Sequence, residues 1–344
     1  MQFSYLGRTG LSVSRICLGT MMYGSQVSEA DAYVQMDHAL AAGINFFDTA
    51  EVYAIPPTAE SYGKTEIIIG NWFKARGNRD QVILASKIAG RGEAMSWIRG
   101  APRHTRDHID AAVEASLKRL QTDYIDLYQL HWPDRRYAGF GFHEFKDYDT
   151  DYERFFDILT SLDAHVKAGR IRHIGVSNES SWGVMKFLAE SEKHGLPRIA
   201  SIQNAYSLVS RAFEQGLAEV SLREDVGLLA YSSLAQGYLA GKYRNGAMPA
   251  GARKTLFERL WRYEGPGGIE MIDKYVDLAH QFSVSPVALA YKFVDTRPFT
   301  TSTIIGASSL QQLTDNIAAF DLEWTQELDS AVYKLHQSHP TPCP

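Results

Sequence analysis

Residues 29–48, EADAYVQMDHALAAGINFFD, contain the pattern that decides the fold. Apolar residues recur at helical spacing over Glu29–Ala42, and the glycine that follows, Gly43, is a typical helix stop. The next run, Ile44–Phe47, is short and apolar on both faces, which is typical of a buried parallel strand, and Asp48 follows it directly. The stretch therefore predicts a helix followed by one strand of a parallel α/β sheet.

The same alternation continues along the rest of the chain. Seven further apolar runs predict strands at Ile16–Leu18, Val82–Ala85, Ile125–Gln129, Ile171–Val176, Ala200–Gln203, Gly227–Tyr231 and Ser302–Ile305. Seven further amphipathic segments predict helices at Thr65–Ala75, Arg106–Leu120, Tyr152–Ala168, Trp182–His194, Phe213–Glu224, Ile269–Gln281 and Leu310–Ala319. Eight strands alternating with eight helices predict an α/β fold of the closed (β/α)8 TIM-barrel type. Before it, Phe3–Tyr5 and Val13–Ser14 predict an N-terminal β-hairpin.

Length and composition limit the number of domains. A prior of about 150 residues per domain suggests two domains for 344 residues, but no linker or composition shift divides the chain. A bare barrel needs about 250 residues, and the surplus falls in the hairpin, extended βα loops and C-terminal tail. We therefore predict a single barrel domain over residues 1–344.

Charge and cysteine content exclude several classes of function. The formal net charge of −5 argues against a nucleic-acid partner, since phosphate contacts need clustered Lys and Arg. No apolar run reaches the roughly 18 residues of a membrane span. Cys17 and Cys343 are too few for a disulfide framework and indicate free thiols in a reducing compartment. The sequence therefore predicts a cytoplasmic protein without a membrane or nucleic-acid partner, and it leaves the oligomeric state open.

Four ionisable side chains follow adjacent predicted strands, at the end where barrels hold their chemistry: Asp48, Tyr53, Lys87 and His131. Taken singly, each has a structural alternative, such as a helix cap or a core histidine. Taken together, an acid, a phenol, an amine and an imidazole form a proton-transfer set. We expect Tyr53 to be the general acid, its pKa lowered by Lys87, with Asp48 anchoring Lys87 and His131 orienting a carbonyl.

The set contains no nucleophile or electrophile of its own, so a cofactor is expected to carry the difficult step. No G-x-G-x-x-G, complete P-loop or metal-ligand spacing occurs, and no metal site is predicted. A metal-dependent barrel hydrolase, one alternative, would need strand-end His-x-His ligands that the sequence lacks.

Several blocks identify a known family when read in order. They are Leu18-Gly19-Thr20-Met21, Asn45-Phe46-Phe47-Asp48-Thr49-Ala50-Glu51-Val52-Tyr53, Gly63-Lys64-Thr65-Glu66, Ser86-Lys87, Asp123-Tyr124-Ile125-Asp126-Leu127-Tyr128-Gln129-Leu130-His131-Trp132, Gly175-Val176-Ser177-Asn178, Gln203-Asn204 and Gly306-Ala307-Ser308. With these blocks the chain resembles the aldo-keto reductase superfamily, most closely its bacterial Tas-like members. The resemblance implies an Asp–Tyr–Lys–His tetrad, and the four residues above match it without substitution.

The resemblance also implies an extended NADP(H) site without a Rossmann fold. Gly19 and Thr20 would lie beside the nicotinamide ribose, Ser177, Asn178 and Gln203 would bind the carboxamide, and Tyr231 would stack on the ring. The loop expected to cover the pyrophosphate contains Ser232, Leu234, Gln236, Gly237, Gly241, Lys242 and Tyr243. The adenosine would lie near Gly306, Ser308, Gln312 and Asn316. Because Ser308 and Gln312 stand where many family members have Lys and Arg, Arg253 is the candidate for the 2′-phosphate.

The resemblance implies reduction of aldehydes or ketones to alcohols, with a small carbonyl compound as substrate. Tyr23 and Trp132 are the candidate substrate contacts, and the loop aromatics Tyr137, Phe140, Phe142 and Trp261 could complete an apolar pocket. The alternative is an NADPH-binding regulatory module with little turnover, similar to potassium-channel β-subunits.

Overall fold

The computed structural model describes residues 1–136, 150–257 and 260–343, and its centre is a closed barrel of eight parallel strands. Two short strands, β1 (Phe3–Tyr5) and β2 (Ser12–Ser14), precede the barrel. The barrel strands are β3 (Ile16–Gly19), β4 (Phe46–Asp48), β5 (Ile83–Ile88), β6 (Ile125–Leu130), β7 (Ile171–Ser177), β8 (Ile199–Ala205), β9 (Gly227–Tyr231) and β10 (Thr300–Ile305). They follow one another around the barrel in chain order, and β10 pairs with β3 to close it. The predicted TIM barrel is confirmed.

The strands form where the sequence is apolar on both faces. In β6 all six residues are buried, because one face points into the barrel and the other is covered by helices. The barrel is closed at its amino-terminal end by the predicted hairpin, in which β1 and β2 pair antiparallel. Leu6 and Val13 of this hairpin are fully buried against Cys17 and Phe46 of the barrel interior. Access to the interior is therefore from the carboxyl ends of the strands.

Eleven α-helices lie in the described part of the chain. They are α1 (Glu29–Ala41), α2 (Lys64–Arg76), α3 (Arg106–Leu120), α4 (Phe155–Lys167), α5 (Ser181–His194), α6 (Leu217–Glu224), α7 (Arg253–Phe257), α8 (Gly268–Gln281), α9 (Pro286–Asp295), α10 (Leu310–Ala318) and α11 (Gln326–Ser338). Within the same ranges, no helix is both long enough and apolar enough to cross a membrane.

All eight predicted helices are present, but two begin later than the periodicity indicated. Helix α4 begins at Phe155 rather than Tyr152, and α6 begins at Leu217 after a separate 3-10 turn at Ala212–Glu214. Three helices, α7, α9 and α11, were not predicted. Helix α9 is nearly continuous in apolar residues and begins at a proline, so neither its periodicity nor its start stood out from the sequence.

Candidate active site

Asp48 and Lys87 meet at the carboxyl end of the barrel. Asp48 is the last residue of β4, and Lys87 lies on the neighbouring strand β5. Lys87 has no exposed surface, and its Nζ donates to Asp48 Oδ1 at 2.6 Å and to the carbonyl of Thr49 at 2.7 Å. Burial lowers the pKa of Lys87, but the charge of Asp48 and the hydrogen bonds outweigh burial, so the net shift is upward. The lysine is therefore held as a cation.

Tyr53 reaches Lys87 from the loop that follows β4. Its hydroxyl lies 3.5 Å from Lys87 Nζ, and the same nitrogen lies 4.9 Å from the centre of the phenol ring. Burial raises the pKa of Tyr53 and outweighs the lowering by the lysine charge. Lys87 therefore acts on this pKa in the expected direction, but burial has the larger effect and the net shift is upward. At neutral pH the phenol keeps its proton.

His131 follows β6 directly and faces the same phenol. The two rings meet edge to face, with centroids 5.6 Å apart. Burial, with a smaller contribution from the charge of Lys87, lowers the pKa of His131 well below its usual value, so the imidazole is neutral. Its backbone carbonyl accepts a hydrogen bond of 2.8 Å from Asn178 Nδ2. Asp48, Tyr53, Lys87 and His131 are thus brought together as predicted.

The loop that carries Tyr53 is held by a buried ion pair that has no role in the sequence-based prediction. Glu51 is fully buried, and Arg99 binds its carboxylate with two nitrogens at 2.6 and 2.7 Å. The Ala89 amide and the Tyr62 hydroxyl donate to the same carboxylate at 2.8 and 2.9 Å. Four donors on one carboxylate fix the loop against the end of β5. An acid two residues before Tyr53 was the only signal in the sequence, and it did not identify Arg99.

Polar groups predicted to bind the nicotinamide carboxamide lie next to this cluster. Asn178 donates to His131 as described and accepts a hydrogen bond of 2.5 Å from the Tyr231 hydroxyl. Ser177 Oγ donates to the carbonyl of Gln203 at 2.7 Å. The Gln203 side chain itself donates to Asp48 Oδ2 at 2.8 Å, so this residue contacts the proton-transfer set directly.

Thr20 adds a further contact on this side of the barrel. Its hydroxyl donates to the backbone carbonyl of Asp48 at 2.8 Å, and its amide donates to the same oxygen at 3.1 Å. Gly19 precedes it at the end of β3, where a Cβ would lie 2.6 Å from Ile304 Cγ2. Thr20 therefore ties the end of β3 to β4, and Gly19 allows β10 to pack closely against β3. The predicted place of both residues beside the nicotinamide ribose stays a prediction.

Positive charges gather on the loop that follows β9. Lys242 lies over Gly237, where a Cβ would approach Lys242 Cε to 2.4 Å, so this glycine leaves room for the lysine. The guanidinium of Arg253 lies 3.4 Å from the sulfur of Met22, and its charge lowers the pKa of Lys242 in addition to burial. Within the described ranges, neither cation has a carboxylate at ion-pair distance. Two like charges without an acid fit an anionic ligand.

The same loop contains the other residues predicted to cover a pyrophosphate. Tyr243 is buried, and its hydroxyl accepts a hydrogen bond from the Lys254 amide at 3.4 Å. The remaining predicted contacts lie on the turns around it: Ser232, Leu234, Gln236 and Gly241. The prediction missed a further cation, Arg262. Burial lowers its pKa, but Tyr231 and Tyr263 nearby outweigh burial and raise it.

The predicted adenosine contacts lie together at the start of α10. Gln312 Oε1 accepts from both the amide and the hydroxyl of Ser308 at 3.0 Å. Asn316 donates to the carbonyl of Gly306 at 3.3 Å. Ser308 and Gly306 are exposed, so this helix start is open to a ligand.

The two candidate substrate contacts, Trp132 and Tyr23, lie in different surroundings. Trp132 is partly buried beside His131, with ring centroids 4.9 Å apart, and it packs in the apolar cluster that contains Tyr53. Tyr23 is 1% exposed, and its hydroxyl donates to Gln35 of α1. A side chain without accessible surface cannot contact a substrate, so the assignment of Tyr23 to the pocket is corrected to the core. Tyr137, Phe140 and Phe142, and the side chain of Trp261, lie outside the described residues.

Across residues 1–136, 150–257 and 260–343, no group of three or more His, Cys, Asp or Glu side chains could hold a metal ion. What the site offers is a protonated phenol beside a fixed ammonium, a neutral imidazole, and a neighbouring cationic loop. This arrangement can donate a proton to an oxygen that gains negative charge.

Comparison with known proteins agrees with this chemistry. A sequence model described as the Aldo/keto reductase family matches residues 15–335. The chain is 46% identical to Protein tas of Escherichia coli (strain K12) over 348 residues, which covers 100% of both chains. It is 36% identical to Uncharacterized oxidoreductase YrpG of Bacillus subtilis (strain 168), covering 95% of this chain and 94% of that protein. Norsolorinic acid reductase stcV of Emericella nidulans is 28% identical, covering 96% of this chain and 79% of that protein.

Proposed function

Because this chain belongs to the aldo/keto reductase family and is therefore an oxidoreductase, we propose that it reduces aldehydes and ketones to alcohols with NADP(H). The observation that carries the proposal is the Tyr53 hydroxyl, held 3.5 Å from a buried ammonium that is itself fixed by Asp48. This is the geometry that a general acid requires, because the phenolate left after proton transfer is formed beside a positive charge.

Each member of the site has a separate task in this reaction. Tyr53 donates its proton to the carbonyl oxygen, and Lys87 stabilises the phenolate that remains. Asp48 keeps Lys87 charged and in place. The neutral His131 offers a hydrogen bond to the carbonyl oxygen and so orients the substrate against Tyr53.

The upward shift of the Tyr53 pKa is consistent with this role. A tyrosine that keeps its proton at neutral pH is ready to donate before each turnover. The difficult proton release is then aided by Lys87 at the moment when the carbonyl oxygen becomes more basic. The predicted assistance by Lys87 therefore acts on the phenolate during the reaction and is not visible as a lowered starting pKa.

The cationic loop supports NADP(H) as the cofactor. When bound, NADPH supplies the hydride that adds to the carbonyl carbon. Lys242 and Arg253 would hold the phosphates, since their like charges lie close together without an acid among the described residues. Asn178 and Tyr231 would hold the nicotinamide end beside His131. We assign Arg253 to the 2′-phosphate, which makes it the residue that favours NADP(H) over NAD(H).

The side chains that pack around Tyr53 are apolar. Trp132 and Met95 pack with Tyr53 in one cluster, together with Ile98 and Val52. We therefore propose a carbonyl compound with an apolar substituent as the substrate class.

A screen of aldehydes, ketones and quinones tests the proposal. The absorbance of NADPH is followed with each compound, and NADH is run in parallel at the same concentration. We expect multiple turnovers with NADPH for apolar carbonyl compounds and slower turnover with NADH. A single slow oxidation of tightly retained NADPH, with no carbonyl turned over, would contradict the proposal and indicate a binding module.

A further inference from the structure

The carboxylate of Asp48 has two oxygens, and Lys87 occupies only one of them. The other, Oδ2, accepts a hydrogen bond from Gln203 Nε2 at 2.8 Å and a second from Gln129 Nε2 at 3.2 Å. Gln203 Nε2 also donates to Gln129 Oε1 at 3.3 Å. An ionised carboxylate can only accept hydrogen bonds, so both amide nitrogens must face it. Asp48 is thus held from two directions.

Gln129 is placed for this contact by the strand register. It lies on β6 directly opposite Lys87 of β5, and it has no exposed surface. On its other side the register pairs it with Gly175 of β7. A Cβ at Gly175 would lie 3.3 Å from Gln129 Cγ and 2.9 Å from Ser201 Oγ. The missing side chain on β7 therefore leaves space for Gln129 inside the barrel.

We propose that Gln129 is a positioning residue for the reduction: it holds the second oxygen of Asp48 so that Oδ1 stays directed at Lys87 Nζ. This inference rests on the proposed function, since it concerns the alignment of Lys87 with Tyr53. Gln129 acts through Asp48, and its hydrogen bonds run to Asp48 and Gln203.

Two substitutions of Gln129 test whether its hydrogen bond positions Asp48 for catalysis or only provides a partner for a buried oxygen. Gln129→Met keeps the length of the side chain but removes the donor. Gln129→Glu keeps the shape, and its carboxyl can donate to Asp48 only while it is protonated. The first change removes the contact at every pH, and the second makes it depend on pH.

The assay measures kcat, KM for NADPH and the dissociation constant of NADPH for each variant over a range of pH, with unfolding temperature as a check of folding. Gln129→Met is expected to lower kcat by about 10- to 100-fold, the order of loss that small misalignments cause, while NADPH binding is unchanged. For Gln129→Glu, the ratio of its kcat to that of the unmodified protein is expected to rise as the pH falls. For Gln129→Met this ratio should not change with pH.

Ser201→Ala is the matched control. Ser201 is also buried inside the barrel, and its hydroxyl has no hydrogen-bond partner among the described residues. Its kcat should equal that of the unmodified protein at every pH.

The inference is overturned if Gln129→Met keeps the full kcat, or if the kcat ratio of Gln129→Glu does not vary with pH. If Gln129→Met does not fold, the pH dependence of Gln129→Glu decides alone. If the unmodified protein turns over no carbonyl compound with NADPH, the proposed function fails instead, and that outcome is seen before any variant is made.

Discussion

Replacing Lys87 with methionine separates the charge of this residue from its packing. Methionine fills a similar volume but carries no ammonium group. In the structure, Lys87 Nζ lies 2.6 Å from Asp48 Oδ1 and 3.5 Å from the Tyr53 hydroxyl. The substitution therefore removes one charge that acts on two partners, and the two effects can be measured separately.

The effect on catalysis follows from the distance to Tyr53. At 3.5 Å, with an effective dielectric constant of about 20, an ammonium attracts a phenolate by about 5 kcal/mol. The negative charge of Asp48 opposes part of this attraction. The remaining loss corresponds to a fall in kcat of about 10²- to 10³-fold.

The effect on stability follows from Asp48, which loses its cation while it stays buried. Breaking a buried ion pair by removing one partner costs about 3–5 kcal/mol. The double variant Asp48→Asn/Lys87→Met removes both charges, so it should recover much of the stability that Lys87→Met loses. It should not recover activity, because the phenolate of Tyr53 still lacks its cation.

The assays are NADPH oxidation with a saturating aldehyde, NADPH binding by fluorescence, and unfolding in urea. We expect unchanged NADPH binding in both variants, since Lys87 is on the Tyr53 side of the site. The reasoning is refuted if Lys87→Met retains most of its kcat. It is also refuted if the double variant regains activity together with stability.

Three further predictions concern residues around the tetrad. Arg253→Met should raise KM for NADPH by about tenfold or more, because it removes a charged contact to the 2′-phosphate. KM for NADH should not change, and equal changes for both cofactors would contradict the assignment of Arg253. Glu51→Gln should lower the free energy of unfolding by about 3 kcal/mol, since it leaves Arg99 without its buried carboxylate. The control Glu219→Gln, which breaks the exposed pair with Arg223, should have little effect. Similar urea midpoints for the two variants would contradict this expectation. Burial lowers the pKa of His104 from 6.5 to about 4 in the folded protein. As the pH falls between these two values, His104 is protonated in the unfolded chain but not in the folded protein, so the free energy of unfolding should fall by about 3 kcal/mol. His104→Leu should reduce this acid-side loss, and an unchanged pH profile of unfolding would contradict the account.

The barrel could be predicted from the sequence because its periodicity is local. Strands such as β9 are apolar on both faces, and helices such as α2 end at a glycine. The helices that the sequence does not predict lack these marks: α9 is apolar at most positions, and α11 has no glycine at its end. The extent of a single domain over residues 1–344 stays a prediction.

The tetrad could be predicted because each member stands at the end of a strand or just beyond it. The residues that hold the tetrad could not, since their partners come from distant segments. Nothing in the sequence pairs Glu51 with Arg99, 48 positions later, or Gln129 with Asp48, 81 positions earlier. The degree of burial also cannot be read from the sequence, and it explains why the net shift in the pKa of Tyr53 is upward although Lys87 lowers it.

The central claim is that Tyr53 is the proton donor in a carbonyl reduction that uses NADPH. Tyr53→Phe removes only the hydroxyl oxygen, and it is tested by measuring NADPH binding and the steady-state rate of aldehyde reduction on the same preparation. We predict NADPH binding equal to that of the unmodified protein and a fall in kcat of about 10²- to 10⁴-fold, the usual loss when a general acid is removed. A variant that binds NADPH and reduces the aldehyde at the original rate would contradict the claim.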